Sequence, residues 1–526
     1  MSFFLNKYLI YFYIAATCIA IWGAKIGLLG IDTLTSGDNL TYASLARSMI
    51  ENGSISHISA LPSDIFLLGE FPKFDKNQNI GLPLFLVPFF IIFSANNFAI
   101  LVSSLTLYIV NALLIFTISK KLFDKKIALM STFLFIFSSS YYHYISSGLT
   151  EPLLIFILLI IAYIQFFVSR EYKGILVGFL IYALYLTKSS LAIFIFPYFL
   201  VHWFLYENRS PKYIFGILLT LSILSLPLIL RNYLLEINTY SQKSDLVDLI
   251  FNRNNEDRGF WYFGLRSLEF PVNWLEPLKY LYENYLTYFK SYLSTLYLLY
   301  LKMYGLNYLF SGSILFFGYL FVQSKKRLES VFKLFTLGIL GLLLLGFSIG
   351  WPIERYLLPV APFLIIAISS YAIPKITSGR KSYTVIILLI AMQLPWLGFL
   401  VKDAYSKYSQ VSYTQLGEFI SNNTQHDDII ISNAPVLTGW YSNRKSVLYP
   451  NSINDINSLH TINNNVNTIV LTKELGTLFR NNINQNIWDD IYKNNDKKIG
   501  NQFCLKREYT NTNNTYKALM YRLCEK

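Results

Sequence analysis

For its first 400 residues the chain alternates between long apolar stretches and short polar ones, and then its character changes. Apolar runs of roughly 17–25 residues recur, the length that crosses a bilayer core of about 30 Å. A soluble core would interrupt such runs with polar positions at helical or alternating period. The runs fall near residues 8–29, 98–119, 127–145, 152–168, 174–187, 189–206, 212–230, 306–324, 331–350, 356–373 and 383–401, with those at 174–187 and 189–206 marginal in length. They predict a mainly α polytopic membrane protein with about 11 transmembrane helices. The first run, Tyr8–Leu29, is too long for a signal-peptide core and lacks a small-residue cleavage site, so it is expected to stay as a helix.

After residue 402 the apolar runs shorten and Asn becomes frequent. The pattern predicts a helix at 413–421, a strand at 428–432, a turn at Pro435 and a strand near 446–449. A helix near 453–460, a strand at 468–472 and a helix near 487–492 follow. Two closing strands, 502–509 and 516–523, flank a turn at 511–515. The expected organisation is therefore a transmembrane domain over 1–401, with outside loops at about 30–97 and 231–305, and a small α/β domain over 402–526.

Composition agrees: 54% of residues are hydrophobic and 14% are charged, where a soluble domain carries about 25%. Mean hydropathy is +0.41. The net charge of +13 would point to nucleic acid in a soluble protein. Here the cations sit in short loops between spans: Lys120–Lys126, Arg170–Lys173, Arg209–Lys212, Lys325–Arg327 and Lys375–Lys381. Placing the N-terminus in the cytoplasm puts all of these loops inside, as short cytoplasmic loops require. That orientation best fits a bacterial plasma membrane and puts the tail outside. The closing strands would bring Cys504 and Cys524 close together in a compartment where disulfides persist, so a bridge is expected.

Candidate chemistry collects on the outer face. Ser36-Gly37-Asp38-Asn39 opens a predicted surface helix that carries Tyr42 and is closed by Gly53. Asp38 is either its cap or a reactive carboxylate. Glu151 lies between the third and fourth spans, before Pro152, where it either complements a helix dipole or serves chemistry. Lys188, Arg231, Glu354 and Arg355 lie at other outer ends of spans. Lys188 and Arg355 either snorkel to head groups or grip a phosphate. The five His residues are scattered, so a zinc site is not expected; no cofactor is required, and a divalent metal is left open without being predicted.

These patches together resemble the GT-C class of membrane glycosyltransferases, in the branch of protein O-mannosyltransferases and aminoarabinose-lipid A transferases. The likeness rests on Gly37-Asp38-Asn39, the Gly81/Pro83 turn, Thr150-Glu151-Pro152, Leu186-Thr187-Lys188 and Arg355-Tyr356-Leu357-Leu358-Pro359. It implies a polyprenyl-phosphate sugar as donor and a glycolipid, glycan or protein as acceptor. It also implies that Asp38 acts as general base with Glu151 assisting, that Arg355 and Lys188 hold the donor phosphate, and that the anomeric centre inverts. Tyr42, Arg231 and Glu354 are weaker substrate contacts. Two positions depart from the class: Asn39 stands where a second acid is usual, and Glu151 where Asp is usual.

Two other functions compete. An oligosaccharide ligase or polymerase would share the fold, but Gly439-Trp440-Tyr441 is not the Trp-Trp-Asp type of motif that oligosaccharyltransferases carry. A transporter or flippase of lipid-linked sugars would place charges midway through its spans. The acids here cluster at one interface instead.

Overall fold

The computed structural model describes residues 2–30, 37–56, 58–60, 62, 65, 70–72, 79–169, 172–188, 211–234, 290, 315–316, 318–321, 327–349, 358–378, 382–391, 398, 401–402, 413–450, 452–472, 485–500, 502–511 and 516–524. The predicted span at 189–206, most of the loop at 231–305, and Glu354 and Arg355 lie outside the described residues.

The membrane part begins with α1 (Ser2–Leu29), α2 (Gly37–Glu51), α3 (Gly81–Phe93), α4 (Asn97–Leu122), α5 (Lys125–Ile136) and α6 (Ser139–Tyr144). It continues with α7 (Glu151–Phe167), α8 (Lys173–Thr187), α9 (Pro211–Leu234), α10 (Arg327–Ile349), α11 (Ala361–Thr377) and α12 (Ser382–Ala391). Among the described residues, three helices are long and apolar enough to cross a membrane: Leu9–Leu28, Asn97–Leu122 and Leu358–Thr377. Gly81–Phe93, Glu151–Phe167, Lys173–Thr187 and Pro211–Pro227 are shorter apolar helices.

Local chemistry sets several boundaries. The Asn96 side chain accepts from the Ala99 amide at the start of α4, and Asp124 accepts from Ile127 at the start of α5. The predicted span at 127–145 is broken: α5 stops at Ile136, and Ser138 caps a separate short helix, α6. Three consecutive serines, Ser138–Ser140, mark the break, and the first of them supplies the capping hydroxyl. α8 and α9 approach closely because Gly178 lies against the Ile217 backbone, where a methyl would come within 3.0 Å of Ile217 Cα.

The tail contributes α13 (Tyr413–Asn422), α14 (Pro435–Ser442), α15 (Ile453–Ile462) and α16 (Gln485–Asn494) around a seven-stranded sheet. Its strands are β1 (Ser59–Ala60), β2 (Ile429–Ser432), β3 (Lys445–Leu448), β4 (Val466–Thr472), β5 (Lys498–Ile499), β6 (Phe503–Thr510) and β7 (Lys517–Leu523), in the order β1-β3-β2-β4-β7-β6-β5. The first four in that order are parallel and the remainder pair antiparallel. Alternation divides the core. Ile429, Ile431, Leu519 and Tyr521 pack with α15 and α16 residues such as Ile456 and Trp488. Ile430, Ala518 and Met520 pack with Leu416 and Ile420 of α13. Cys504 and Cys524 are disulfide-bonded.

Two elements differ from the sequence expectation. Pro435 opens a helix rather than a turn, since proline suits a first helical turn as well as a bend. And β1 comes from the segment between α2 and α3: Ser59 and Ala60 pair with Ser446 and Val447, while Ile65 and Phe71 join the tail's core. In return, Trp440 of α14 joins the core of the membrane part. Each region lends residues to the other.

Candidate active site

Two of the predicted patches meet at the N-terminal ends of α2 and α7. Asp38 sits in the first turn of α2 and is exposed, where the helix dipole favours a negative charge. Its neighbour Asn39 is 2% exposed and donates from Nδ2 to the Ser147 carbonyl at 2.6 Å. Gly148 follows with φ +66°, and a methyl there would lie 2.5 Å from Ile100 Cγ2 and 3.5 Å from Asn39 Cβ. Only glycine lets the loop turn back this tightly against Asn39. Three residues later Glu151 begins α7, 1% exposed. Asn111 of α4 steadies the same end, donating to the Pro152 carbonyl at 3.0 Å and the Tyr141 hydroxyl at 2.9 Å.

Asn39 is thus an anchor. A carboxylate at that position has no hydrogen to give the Ser147 carbonyl.

The junction is gripped from a second side by a residue the sequence reading passed over. Lys25, near the C-terminal end of α1, is 3% exposed. Its Nζ donates to the Tyr142 carbonyl at 2.6 Å and lies 4.3 Å from the centroid of the Tyr142 ring. A single cation inside an otherwise apolar run was the available signal.

The other two described patches also meet. Gly81 begins α3 against the end of α8, and a methyl there would fall 2.7 Å from Thr187 Cα. Thr187 is buried, and Lys188 is half-buried at the C-cap of α8 with its amide donating to the Leu184 carbonyl at 2.8 Å. α3 packs on α2 as well as on α8, so both pairs of patches border one helix. Tyr42 is half-buried one turn after Asp38. The Arg231 backbone lies in the last turn of α9. Glu354 and Arg355 fall outside the described residues.

Further along α2, Arg47 is enclosed between the two regions of the molecule. Its guanidinium carbon lies 3.7 Å from the Trp440 ring centroid. Nη1 donates to the Trp440 carbonyl at 3.2 Å and to Asn443 Oδ1 at 3.3 Å, and Nη2 donates to the Ala95 carbonyl at 3.0 Å. Burial pushes the Arg47 guanidinium down to about 10, with Glu51 working against that shift, so the group stays cationic at neutral pH. Among the described residues, no three His, Cys, Asp or Glu side chains group to hold a metal ion.

No protein-family model matches the chain, and no curated protein matches it. Solved structures do. ArnT from Cupriavidus metallidurans, bound to undecaprenyl phosphate, superposes with a TM-score of 0.58 at 10% identity over 98% of each chain. The Archaeoglobus fulgidus oligosaccharyltransferase in complex with zinc and sulfate gives 0.51 at 13% identity, over 88% of this chain and 68% of that one. AglB from the same organism, with an inhibitory peptide and a dolichol-phosphate, gives 0.50 at 10% identity, over 97% of this chain and 74% of that one. At such identities the likeness is one of fold, and it extends through both the membrane part and the tail.

Proposed function

We propose that this chain, whose fold is that of the GT-C membrane glycosyltransferases, moves a sugar from a polyprenyl-phosphate donor to an acceptor at the outer face of the membrane. The observation that carries the reading is the exposed Asp38 beside Asn39, which is hydrogen-bonded to the loop that leads into Glu151. One carboxylate faces outward where an acceptor hydroxyl can reach it, and a second is buried at the same junction.

In this mechanism Asp38 takes the acceptor's proton as the acceptor oxygen bonds to the anomeric carbon. The bond from that carbon to the phosphate oxygen breaks, the electron pair leaves with the polyprenyl phosphate, and the centre inverts. Glu151, buried at a helix start, suits holding the acceptor or its loop rather than collecting the proton. Lys188 and Arg355 neutralise the charge that grows on the leaving phosphate. Tyr42, Arg231 and Glu354 border the substrates.

The full reading is a chain of about eleven spans in a bacterial plasma membrane, with the N-terminus inside and the tail of 402–526 outside. It is supported by the basic short loops and by the bonded Cys504–Cys524 pair, which persists in oxidising compartments. An oligosaccharide ligase is the second reading, favoured by the fold shared with the archaeal oligosaccharyltransferase. Against it, Trp440 is occupied at the Arg47 interface. The test is transfer of radiolabelled sugar from a panel of polyprenyl-phosphate sugars to cell-envelope material. A lipid-diphosphate oligosaccharide serves as the competing donor.

A further inference from the structure

α2 is held at three places along its course. Near its start Asn39 is tied to the Ser147 carbonyl. Just past its end, the chain runs through Ser59 and Ala60 into the sheet of the tail, against β3. Between these, Arg47 is clasped by α14 and by the turn ahead of α4. Its guanidinium is stacked on Trp440 and bonded to the Trp440 carbonyl, Asn443 and the Ala95 carbonyl. Trp440 is itself fixed: its Nε1 donates to Asn97 Oδ1 at 2.9 Å, and Asn97 Nδ2 donates to the Tyr441 hydroxyl at 3.0 Å. Its ring rests 6.2 Å, centroid to centroid, from that of Phe90 in α3. Asn443 ends α14 in the left-handed region at φ 52°, which turns its side chain's residue into reach of Arg47.

We infer that Arg47 is a positioning residue through which the C-terminal domain sets the placement of Asp38. The inference rests on Asp38 being the base. Asp38 and Arg47 share one helix and stand nine positions apart, about 14 Å along its axis. A helix of this length moves as a rod. Once Arg47 is released, α2 is still held by the Asn39 bond and by Leu40, Ala43 and Ala46 in the membrane part's core, but the polar clasp from the C-terminal domain is gone and the helix is free to rock on that apolar face. The Asp38 carboxylate reorients as the helix tilts or rolls. Misplacement by about 1 Å is enough to slow a reaction about 100-fold. The C-terminal domain is then part of the active site's frame although its clamp touches no substrate.

The test is a double-mutant cycle on the full-length protein, with donor KM, kcat and thermal unfolding measured for each variant. Asp38→Glu keeps a carboxylate and moves it by one methylene. Arg47→Lys keeps the charge and loses the planar fork. Arg47→Lys is expected to lower kcat by about 10- to 100-fold with donor KM within about twofold of wild type. The loss in the Asp38→Glu, Arg47→Lys double variant is expected to be well short of the product of the two single losses, because both act on one coordinate. Asn443→Gly removes a single acceptor at an exposed position while tolerating positive φ. It is expected to fold normally and to lower kcat a few-fold, again with donor KM unchanged. Losses that multiply, or an Arg47→Lys and an Asn443→Gly enzyme with wild-type kcat, overturn the inference. Asp38→Asn separates the two failures. If that variant is as active as wild type, the base assignment falls and the inference with it. If it is slow while the cycle is multiplicative, only the inference falls.

Discussion

The membrane part and the C-terminal domain solve the same problem in different solvents. In the membrane part large apolar side chains face outward: Phe12 is 66% exposed and Ile92 70%. In the domain, the apolar residues of β2 and β4 are fully covered. Water makes burial favourable in the domain. Lipid gives little such gain, so the membrane part relies on close backbone approach and buried hydrogen bonds. The buried polar groups divide the same way. Asp428 of the domain accepts from the Gln425 amide, Asn467 and Arg522, closing β2, β4 and β7 together. In the membrane part Lys25, Asn39 and Asn111 all donate to backbone carbonyls of residues 142–152. Those three anchors of the membrane part converge on one loop, the loop that leads into Glu151.

Breaking that anchoring should have the largest effect. Asn39→Asp removes the donor to Ser147 and sets a buried carboxylate against a carbonyl, at a loss of about 3 kcal/mol. Restoring a second acid next to Asp38 is therefore expected to abolish sugar transfer and lower the melting temperature, whereas Asn39→Gln retains a donor and should lose less. Paired activity and thermal-shift measurements check both. An Asn39→Asp protein with wild-type melting would mean that the junction is not held there.

The domain should fail separately. Cys504→Ser opens a cross-link spanning 20 residues, worth about 3 kcal/mol by loop entropy. Limited proteolysis should then cut the strands β6 and β7 first and leave the membrane part intact. Alkali offers a smaller, graded probe. Burial, with Asp489 adding to it, pushes the Tyr449 hydroxyl up to about 12. Between pH 10 and 12 the unfolded chain loses this proton first, so stability is constant below about pH 9, falls across that window and levels off above it, by on the order of 2 kcal/mol. Tyr449→Phe should flatten the slope in pH-dependent melting.

The division also governs what could be read from the amino acids alone. Apolar run length placed α4 and α7 to within a few residues, because lipid demands continuous apolar sequence. A short apolar run placed β4, and the turn residues at 511–515 placed β6 and β7 on either side. The break between α5 and α6 is missed when run length alone is read: Ser138–Ser140 interrupt the apolar composition there, and Ser138 caps the new helix. The two-residue β1 carries no local signal and exists because the tail offers it an edge. At the site, Asp38 and Glu151 stood out as acids at span ends. The use of Asn39 did not, because an amide in an acid's place looks like lost chemistry until its partner, 108 positions away, is seen. The clamp of Arg47 on Trp440 joins residues 393 positions apart, beyond any local pattern.

The central claim is that Asp38 is the base of a sugar transfer at this junction. Its most direct test is radiolabelled transfer from polyprenyl-phosphate sugars by purified wild type and Asp38→Asn, with both proteins shown to melt alike. Transfer by the wild type that falls by about 100-fold or more in the variant is the expected result. Transfer that survives in Asp38→Asn would contradict it and leave Asp38 as the first-turn acid of α2 and nothing more.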